Sequence, residues 1–263
     1  MERAERSSDS SMEELAALVE TAGGEVVVTL IQNRPSPDPR SFIGDGKVAE
    51  MKALIEMNSC DLAVFDNELS PSQMRVLAEE LGVRVLDRSG LILDIFAQRA
   101  HTREGKLQVE LAQYQYLLPR LTGMWTHLVR QTASGGRSPI GTRGPGETQL
   151  ETDRRHIRRK IQKLQEELAD VRRVRDTQRK LRQKNALPVA ALVGYTNAGK
   201  SSLMNALLAL EDRQEKRVFE HDMLFATLDT AQRLITLEDG KSFILIDTVG
   251  FVSRLPHTLG DAF

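Results

Sequence analysis

Two hydrophobic patterns alternate along the first 88 residues of the chain. Helix-like segments, with apolar residues three to four positions apart, cover 10–23, 43–58 and 70–82. Short runs rich in apolar and β-branched residues lie between and after them, at 25–31, 60–65 and 83–87. Strands that alternate with helices in this way are typical of β-α-β units. We therefore predict a small N-terminal α/β domain with a parallel sheet over residues 1–88, preceded by about ten frayed residues.

The third helix of this region carries its own start and stop signals. Ser70 is a typical N-cap residue, and Pro71 fits the first helical position because the missing proline N–H is not needed there. Gly82 is a typical stop. The sequence therefore predicts the bounds of this helix closely.

A longer, seven-residue repeat begins after residue 88. Apolar positions three and four apart predict one long helix that Pro119 kinks or ends; they are Phe96, Ala100, Leu107, Leu111, Tyr114, Leu118 and Leu121. A second series comprises Ile157, Ile161, Leu164, Leu168 and Val171. Thr148 and Glu151 match a capping box that would start the second helix. We predict an antiparallel helical hairpin over 89–186, with a glycine-rich tip loop at 133–147 and with the apolar stripes as core.

Composition limits the class of protein. The 263 residues are 40% hydrophobic and 28% charged, with one cysteine, Cys60. An internal disulfide is therefore excluded, and no apolar run reaches the roughly 20 residues of a membrane span. The polar N-terminus does not resemble a signal peptide. These features predict a soluble, cytoplasmic protein, and we expect a monomer.

Positive charge is concentrated in one segment. Residues 151–186 hold 13 Lys and Arg residues against 6 Asp and Glu residues, although the whole chain has a net charge of −1. A polyanionic partner would explain this cluster, and so would the solvated face of a coiled coil. The charge alone leaves both interpretations open.

A third region, residues 187–263, returns to an α/β pattern and carries a phosphate-binding motif. A strand-like run, 188–193, leads into two glycines four residues apart, then Lys and Ser, then a helix-like run. In this P-loop pattern backbone N–H groups converge on phosphate oxygens, the lysine neutralises phosphate charge and the serine binds Mg²⁺. A chance match is the alternative, and the flanking strand and helix argue against it. The candidate residues are Gly194, Tyr195, Thr196, Asn197, Ala198, Gly199, Lys200 and Ser201.

Two further segments fit the same site. A strand-like run ends in Asp247, Thr248, Val249 and Gly250, where a P-loop protein places a second magnesium-linked acid. Upstream lies the loop segment Phe225, Ala226, Thr227, Leu228 and Asp229, in which Thr227 is the candidate magnesium ligand. Thr230 and a threonine in an ordinary strand are the alternatives. The predicted metal ligands are thus Ser201, Thr227 and Asp247, and residues 228–247 predict two strands joined at 238–240.

These motifs carry a resemblance to a known family. GYTNAGKS, FATLD and DTVGF look like the first three motifs of translation-factor-related GTPases. GPGETQLETDRR, at 144–155, resembles the most distinctive signature of the HflX GTPases, and QNRPSPDPRSFIGDGKVAEM and YLLPRL are similar too. The resemblance implies GTP and Mg²⁺ as cofactors and, through Asn197, a potassium ion.

The resemblance also implies a partner and a role. HflX-like proteins bind the large ribosomal subunit, hydrolyse GTP and are associated with splitting stalled or heat-damaged ribosomes. Their helical hairpin is thought to reach ribosomal RNA, which favours RNA binding by the basic segment. The implied RNA contacts are Arg137, Arg143, Arg154, Arg155, Arg158 and Arg159.

Two departures from the pattern matter. No Asn-Lys-x-Asp motif, which reads guanine, precedes Phe263, so we expect a GTPase domain truncated at its C-terminus. Phe251 stands where many GTPases place the residue that orients the attacking water, which predicts slow intrinsic hydrolysis. No catalytic residue is assigned. The alternatives are an RNA-binding module that has lost catalysis and, less well supported, a P-loop ATPase.

Overall fold

A computed structural model describes residues 2–121, 145–184, 187–210, 225, 231–237 and 240–251. Two compact units divide the chain. The first contains residues 1–92 and 113–162, and the second contains 93–112 and 163–263. Each unit carries its own parallel strand pair, so the predicted α/β class is confirmed. The three-domain division at residues 88 and 186 stays a prediction.

The first unit is built around one β-α-β unit. Its elements are α1 (Glu2–Thr21), α2 (Asp45–Asn58), β1 (Leu62–Phe65), α3 (Pro71–Leu81) and β2 (Arg84–Asp87). The strands β1 and β2 are parallel, with Leu62 opposite Arg84 and Phe65 opposite Asp87. Their core contains Val48, Ile55, Ala63, Phe65, Leu69, Leu77, Leu81 and Val85. The predicted parallel pairing is therefore confirmed.

Helix α3 has the predicted caps. The Ser70 hydroxyl accepts from the Gln73 backbone N–H at 3.2 Å, and the Gln73 side chain accepts from the Ser70 N–H at 3.0 Å. Pro71 is the first helical residue, and Gly82 ends the helix in the left-handed region at φ 74°. Only glycine adopts that conformation at little cost.

Two predictions for the first unit are wrong. Helix α1 begins at Glu2, so residues 2–10 are helical rather than frayed. Residues 25–31 form no strand: among the described residues β1 pairs only with β2, and Val27 is 52% exposed. A β-branched run favours a strand only where a neighbouring strand offers pairing and burial. This segment instead lines one side of an apolar groove of about 440 Å³ beside α1, α2 and β1.

The long helix predicted after residue 88 is two helices. α4 spans Arg88–Arg99 and α5 spans Arg103–Leu117. The break occurs because the Thr102 hydroxyl accepts from the Gly105 N–H at 3.0 Å and so caps a new helix. α5 buries Gly105, Val109 and Ala112 rather than the predicted seam, and it ends two residues before Pro119 as predicted.

The second arm of the hairpin is α6 (Pro145–Lys184). It starts three residues before Thr148, so the predicted capping box is wrong: Pro145, already preset for helical φ, takes the first position. Leu164 and Leu168 are buried as predicted. Within the second unit Arg175 pairs with Glu104 at 2.6 Å and Arg103 with Glu167 at 3.9 Å.

Within the first unit Lys160 donates to the Tyr114 hydroxyl at 2.7 Å. Each unit therefore has its own contact between a part of α5 and a part of α6. The tip loop lies outside the described residues, except for its last three positions in α6.

A polar cluster is buried at the end of β2 in the first unit. The Asp87 carboxylate accepts from the N–H groups of Gly90 and Leu69, at 2.8 and 3.2 Å. It also accepts from the Tyr116 hydroxyl at 2.8 Å and from the Arg120 guanidinium at 3.1 Å. Burial and the Asp87 carboxylate raise the pKa of Tyr116 above its ordinary value. Asp87 therefore joins the start of α4 to the residues that end α5.

The second unit contains a three-stranded sheet with the order β3-β5-β4. Its elements are β3 (Val189–Leu192), α7 (Lys200–Leu210), β4 (Ala231–Thr236) and β5 (Ser242–Asp247). β3 is parallel to β5, and β4 is antiparallel to β5. The predicted strand pair is confirmed, although Glu238 and Asp239 of its connection lie outside the described residues. α7 packs on the sheet through Met204 and Leu208.

Candidate nucleotide-binding site

The site lies at the carboxyl ends of the parallel strands β3 and β5. Leu192, the last residue of β3, is the register partner of Asp247, the last residue of β5. The Thr248 hydroxyl donates to the Leu192 carbonyl at 2.6 Å, so the two strand ends are bonded as they leave the sheet. Ligands of open α/β sheets bind at this edge.

The loop from β3 to α7 has the backbone of a phosphate cradle. Asn197 and Gly199 have left-handed φ values of 58° and 79°, which turn the chain sharply before α7 begins at Lys200. The first N–H groups of a helix have no partners within the helix and favour an anion. The predicted loop residues therefore surround a helix N-terminus that suits phosphate.

Lys200 folds back over this loop. Its ammonium group donates to the carbonyls of Gly194 and Tyr195, at 3.2 and 2.7 Å. Burial lowers the pKa of Lys200 below its ordinary value, while the Asp247 carboxylate acts in the opposite direction. A lysine held here carries its charge to the place where phosphate oxygens would lie.

The predicted magnesium ligands Ser201 and Asp247 are adjacent. The Ser201 hydroxyl donates to the fully buried Asp247 carboxylate at 2.6 Å. Hydroxyl and carboxylate oxygens are the donors that Mg²⁺ prefers, and nucleotide phosphates commonly complete its shell. The donor set therefore fits Mg²⁺. Within the described ranges no cluster of three or more His, Cys, Asp or Glu could hold a metal without such phosphates.

The segment after β5 packs against the phosphate loop. The sequence did not predict this contact. The Thr196 N–H donates to the Phe251 carbonyl at 2.8 Å, and the Phe251 N–H donates to the Gly194 carbonyl at 3.0 Å. A Cβ at Gly250 would lie 2.5 Å from the Thr196 Cα, so only glycine allows this approach. Gly250 is thus held beside the phosphate loop, as its predicted role requires.

The structure describes only part of the predicted loop segment. Phe225 is buried in the second unit, whereas Ala226, Thr227, Leu228 and Asp229 lie outside the described residues, as does Thr230. The roles of Thr227 at the metal and of its neighbours at the nucleotide stay predictions.

The predicted RNA-contacting residues fall on α6 and on the tip loop. Arg155, Arg158 and Arg159 are exposed, and Arg154 is half-buried. Arg137 and Arg143 lie outside the described residues. In the parts of the chain that the structure describes, no helix combines the length and the apolar character of a membrane span.

The strand, the glycine loop with its lysine and serine, and the buried aspartate at the neighbouring strand end define a P-loop nucleotide-binding domain. Comparison with known families agrees. Residues 189–263 match the family described as "50S ribosome-binding GTPase". Residues 9–97 match "GTP-binding GTPase N-terminal", and residues 99–182 match "GTP-binding GTPase Middle Region".

The relatives share one name. The chain is 51% identical over 261 residues to the GTPase HflX of Alkalihalophilus pseudofirmus, covering 99% of this chain and 59% of that protein. It is 48% identical over 252 residues to the GTPase HflX of Escherichia coli, covering 96% and 57%. The chain belongs to the HflX GTPase family.

Solved structures agree with this fold. A complex described as SsGBP with GDP has a TM-score of 0.54 and 27% identity, covering 95% of this chain and 63% of that one. The chain thus spans less than two thirds of the length of the relatives it matches.

Proposed function

We propose that the protein is a magnesium-dependent GTPase. One observation carries the proposal: Ser201 and Asp247 are 2.6 Å apart at the sheet edge where Lys200 covers the phosphate loop. The HflX relatives are named GTPases, and SsGBP is described with bound GDP. These names favour guanine over adenine.

Each residue has a chemical role in this proposal. The N–H groups of the loop and of the first turn of α7 bind phosphate oxygens, and Lys200 neutralises their charge. Ser201 and Asp247 hold Mg²⁺, with Thr227 as a third ligand. The Gly250 N–H donates to the γ-phosphate.

Hydrolysis is proposed to be slow without a partner. Phe251, which is 54% exposed, has no polar group that could orient water. Stimulation by the ribosome would then supply the water-orienting group that the Phe251 side chain lacks. A potassium ion at Asn197 is a further candidate for positive charge, and equal hydrolysis rates in potassium and sodium buffers would exclude it.

The proposed partner is the large ribosomal subunit with its RNA, and the proposed role is splitting or rescue of ribosomes in the cytoplasm. The match to a ribosome-binding GTPase family supports the partner. Arg155, Arg158 and Arg159 are exposed on a helix segment of net positive charge, which suits RNA phosphates. That the protein acts as a monomer stays a prediction.

Nucleotide binding is tested first, with GTP, GDP and ATP at fixed Mg²⁺. Lys200→Ala is expected to abolish GTP binding, and Ser201→Ala to weaken it only when Mg²⁺ is present. Lys241→Ala, at an exposed lysine in the β4–β5 connection, is the matched control and should bind like the wild type. Tight binding of ATP in preference to GTP would contradict the proposal and support an ATPase.

Ribosome binding is tested by co-sedimentation with large subunits. Changing Arg155, Arg158 and Arg159 to Gln should weaken binding and lower the salt slope by about 2–3, because each neutralised phosphate contributes about 0.7–0.9. Lys52→Gln with Arg84→Gln, at exposed residues of α2 and β2, is the control.

The nucleotide dependence of co-sedimentation distinguishes a ribosome-associated GTPase from an RNA-binding module that has lost catalysis. A non-hydrolysable GTP analogue should increase ribosome binding by a GTPase. Ribosome binding that does not depend on the nucleotide would support the RNA-binding module. A salt slope unchanged by the three arginine substitutions would mean that the basic face of α6 is only the solvated face of a coiled coil.

A further inference from the structure

One side-chain hydrogen bond joins the carboxyl ends of the two parallel strands at the candidate nucleotide site. The Thr248 hydroxyl donates to the Leu192 carbonyl at 2.6 Å. Leu192 ends β3, and its register partner Asp247 ends β5. Thr248 therefore bonds across the sheet at the first residue beyond the strand pair. A hydroxyl has one proton to donate, so this bond takes the donor that Thr248 could otherwise offer to a phosphate.

The segment that follows β5 is thereby attached to the β3 side at two points. Phe251 makes two backbone hydrogen bonds to the phosphate loop, with Thr196 at 2.8 Å and with Gly194 at 3.0 Å. Thr248 makes the other attachment, directly beside Asp247. The attachment at Phe251 uses backbone atoms, which most substitutions keep. The attachment beside Asp247 uses a side chain, so a single substitution can remove it.

Asp247 is the residue on which the Thr248 bond acts. Its carboxylate is fully buried and accepts from the Ser201 hydroxyl at 2.6 Å. Both groups are proposed ligands of Mg²⁺, which demands near-ideal octahedral geometry and is therefore sensitive to a small displacement of a ligand. Thr248 follows Asp247 directly in the chain, so its hydroxyl fixes the backbone from which the carboxylate projects.

We propose that Thr248 is a positioning residue for the magnesium site: its bond to Leu192 holds the end of β5 so that the Asp247 carboxylate stays beside Ser201. This inference rests on the proposed function. Because Thr248 acts through a metal ligand, it strengthens the coupling between Mg²⁺ and the nucleotide and leaves the metal-free affinity unchanged. The coupling is measured as the ratio of the nucleotide affinity in Mg²⁺ to the affinity in EDTA.

Thr248→Val tests the proposal, because it removes the hydroxyl and keeps the branched shape. In the 263-residue chain the coupling ratio for a non-hydrolysable GTP analogue should fall about three- to tenfold, as the loss of one hydrogen bond implies. The affinity in EDTA should stay within about twofold of the wild type. Thr248→Ser keeps the hydroxyl and should restore the coupling ratio to within about twofold.

Thr236→Val is the matched control, because it removes a threonine hydroxyl from the same sheet. The Thr236 hydroxyl lies 3.2 Å from the hydroxyl of Ser242, its register partner at the opposite end of the β4–β5 pair from Asp247. Thr236→Val should leave the coupling ratio unchanged, and urea unfolding of the metal-free chain measures the change in stability of each variant. If Thr248→Val does not fold, Thr248→Ala takes its place, since it also lacks the hydroxyl.

A double variant tests whether Thr248 acts through Asp247. Asp247→Asn removes the carboxylate and should lower the coupling ratio by itself. Adding Thr248→Val to Asp247→Asn should then have little further effect, because the group that Thr248 positions is already lost. Full additivity of the two substitutions would overturn the positioning role.

The outcomes distinguish this inference from the proposed function. If the wild-type chain binds the analogue no more tightly in Mg²⁺ than in EDTA, the magnesium-dependent GTPase and the positioning role both fail. If the wild type shows the coupling and Thr248→Val weakens binding equally in Mg²⁺ and in EDTA, or changes neither affinity, only the positioning role fails. A Thr248→Ser variant with as little coupling as Thr248→Val would also overturn that role.

Discussion

Replacing Gly250 by alanine would put a methyl group into the backbone of the phosphate loop. The new Cβ would lie 2.5 Å from the Thr196 Cα and 2.6 Å from the Thr196 nitrogen. These are backbone atoms, so no side-chain rotation relieves the clash. The φ of Gly250 is not in the left-handed region, so alanine meets no conformational penalty and the effect is entirely steric.

The free-energy cost of Gly250→Ala depends on whether the segment after β5 shifts away from the phosphate loop. Overpacking costs about 1–3 kcal/mol. If the segment shifts away, it also loses the hydrogen bonds between Phe251 and the loop residues Thr196 and Gly194. Each net backbone bond contributes about 0.5–1.5 kcal/mol, so the total loss reaches about 2–6 kcal/mol.

Amide hydrogen exchange measures the loss of these hydrogen bonds, and nucleotide affinity measures the effect on the phosphate loop. In Gly250→Ala the Thr196 and Phe251 amides should exchange faster, and the GTP analogue should bind at least about tenfold more weakly, as a loss of about 1.4 kcal/mol implies. Gly46→Ala is the matched control, because a methyl group added there would meet no neighbouring atom within 4 Å and α2 gains a better helix former.

A Gly250→Ala protein with unchanged exchange at both amides and unchanged affinity would refute the steric reasoning. It would mean that the segment after β5 and the phosphate loop are not held together in solution. Slower exchange in Gly46→Ala is compatible with the argument, since alanine stabilises a helix.

Three further predictions concern the first unit. Ser70→Ala should lower the free energy of unfolding by about 1 kcal/mol in urea denaturation, because α3 loses its cap; no change would mean that water replaces the hydroxyl. Arg120→Ala should cost about 3–5 kcal/mol, because it leaves Asp87 buried without its guanidinium, and a loss below about 1 kcal/mol would contradict the buried pair. Tyr116 keeps its proton in the folded state at a pH where the unfolded state loses it. Its contribution to the free energy of unfolding is therefore lost as pH rises above about 10. The unfolding free energy of Tyr116→Phe should therefore fall less between about pH 9 and pH 11 than that of the wild type, and parallel pH profiles would refute this.

The sequence predicted correctly those parts of the fold whose structure depends only on residues close together in the chain. Ser70, Pro71 and Gly82 bound α3 because capping involves only neighbouring residues. The phosphate loop was predictable for the same reason: its glycines, lysine and serine act within one turn and one helix start.

Tertiary partners decide what the sequence predicted wrongly or missed. The run at 25–31 has the composition of a strand but pairs with no strand in the part of the chain that the structure describes. A seven-residue repeat continues across Thr102, where the chain caps a new helix. Nothing in the sequence indicated that Phe251 would bond to Gly194, because these residues are 57 positions apart.

The buried Asp87 cluster has a consequence for synthesis of the chain. Asp87 and Arg120 are separated by 33 residues, so at about 5–20 residues per second the arginine is made about 2–7 s after the aspartate. The same delay separates their emergence from the ribosome: once β1, α3 and β2 have emerged, the carboxylate that they bury has no guanidinium until Arg120 has emerged too. A nascent chain whose emerged part ends before residue 120 is therefore expected to hold this sheet in a less protected state than one whose emerged part extends beyond it.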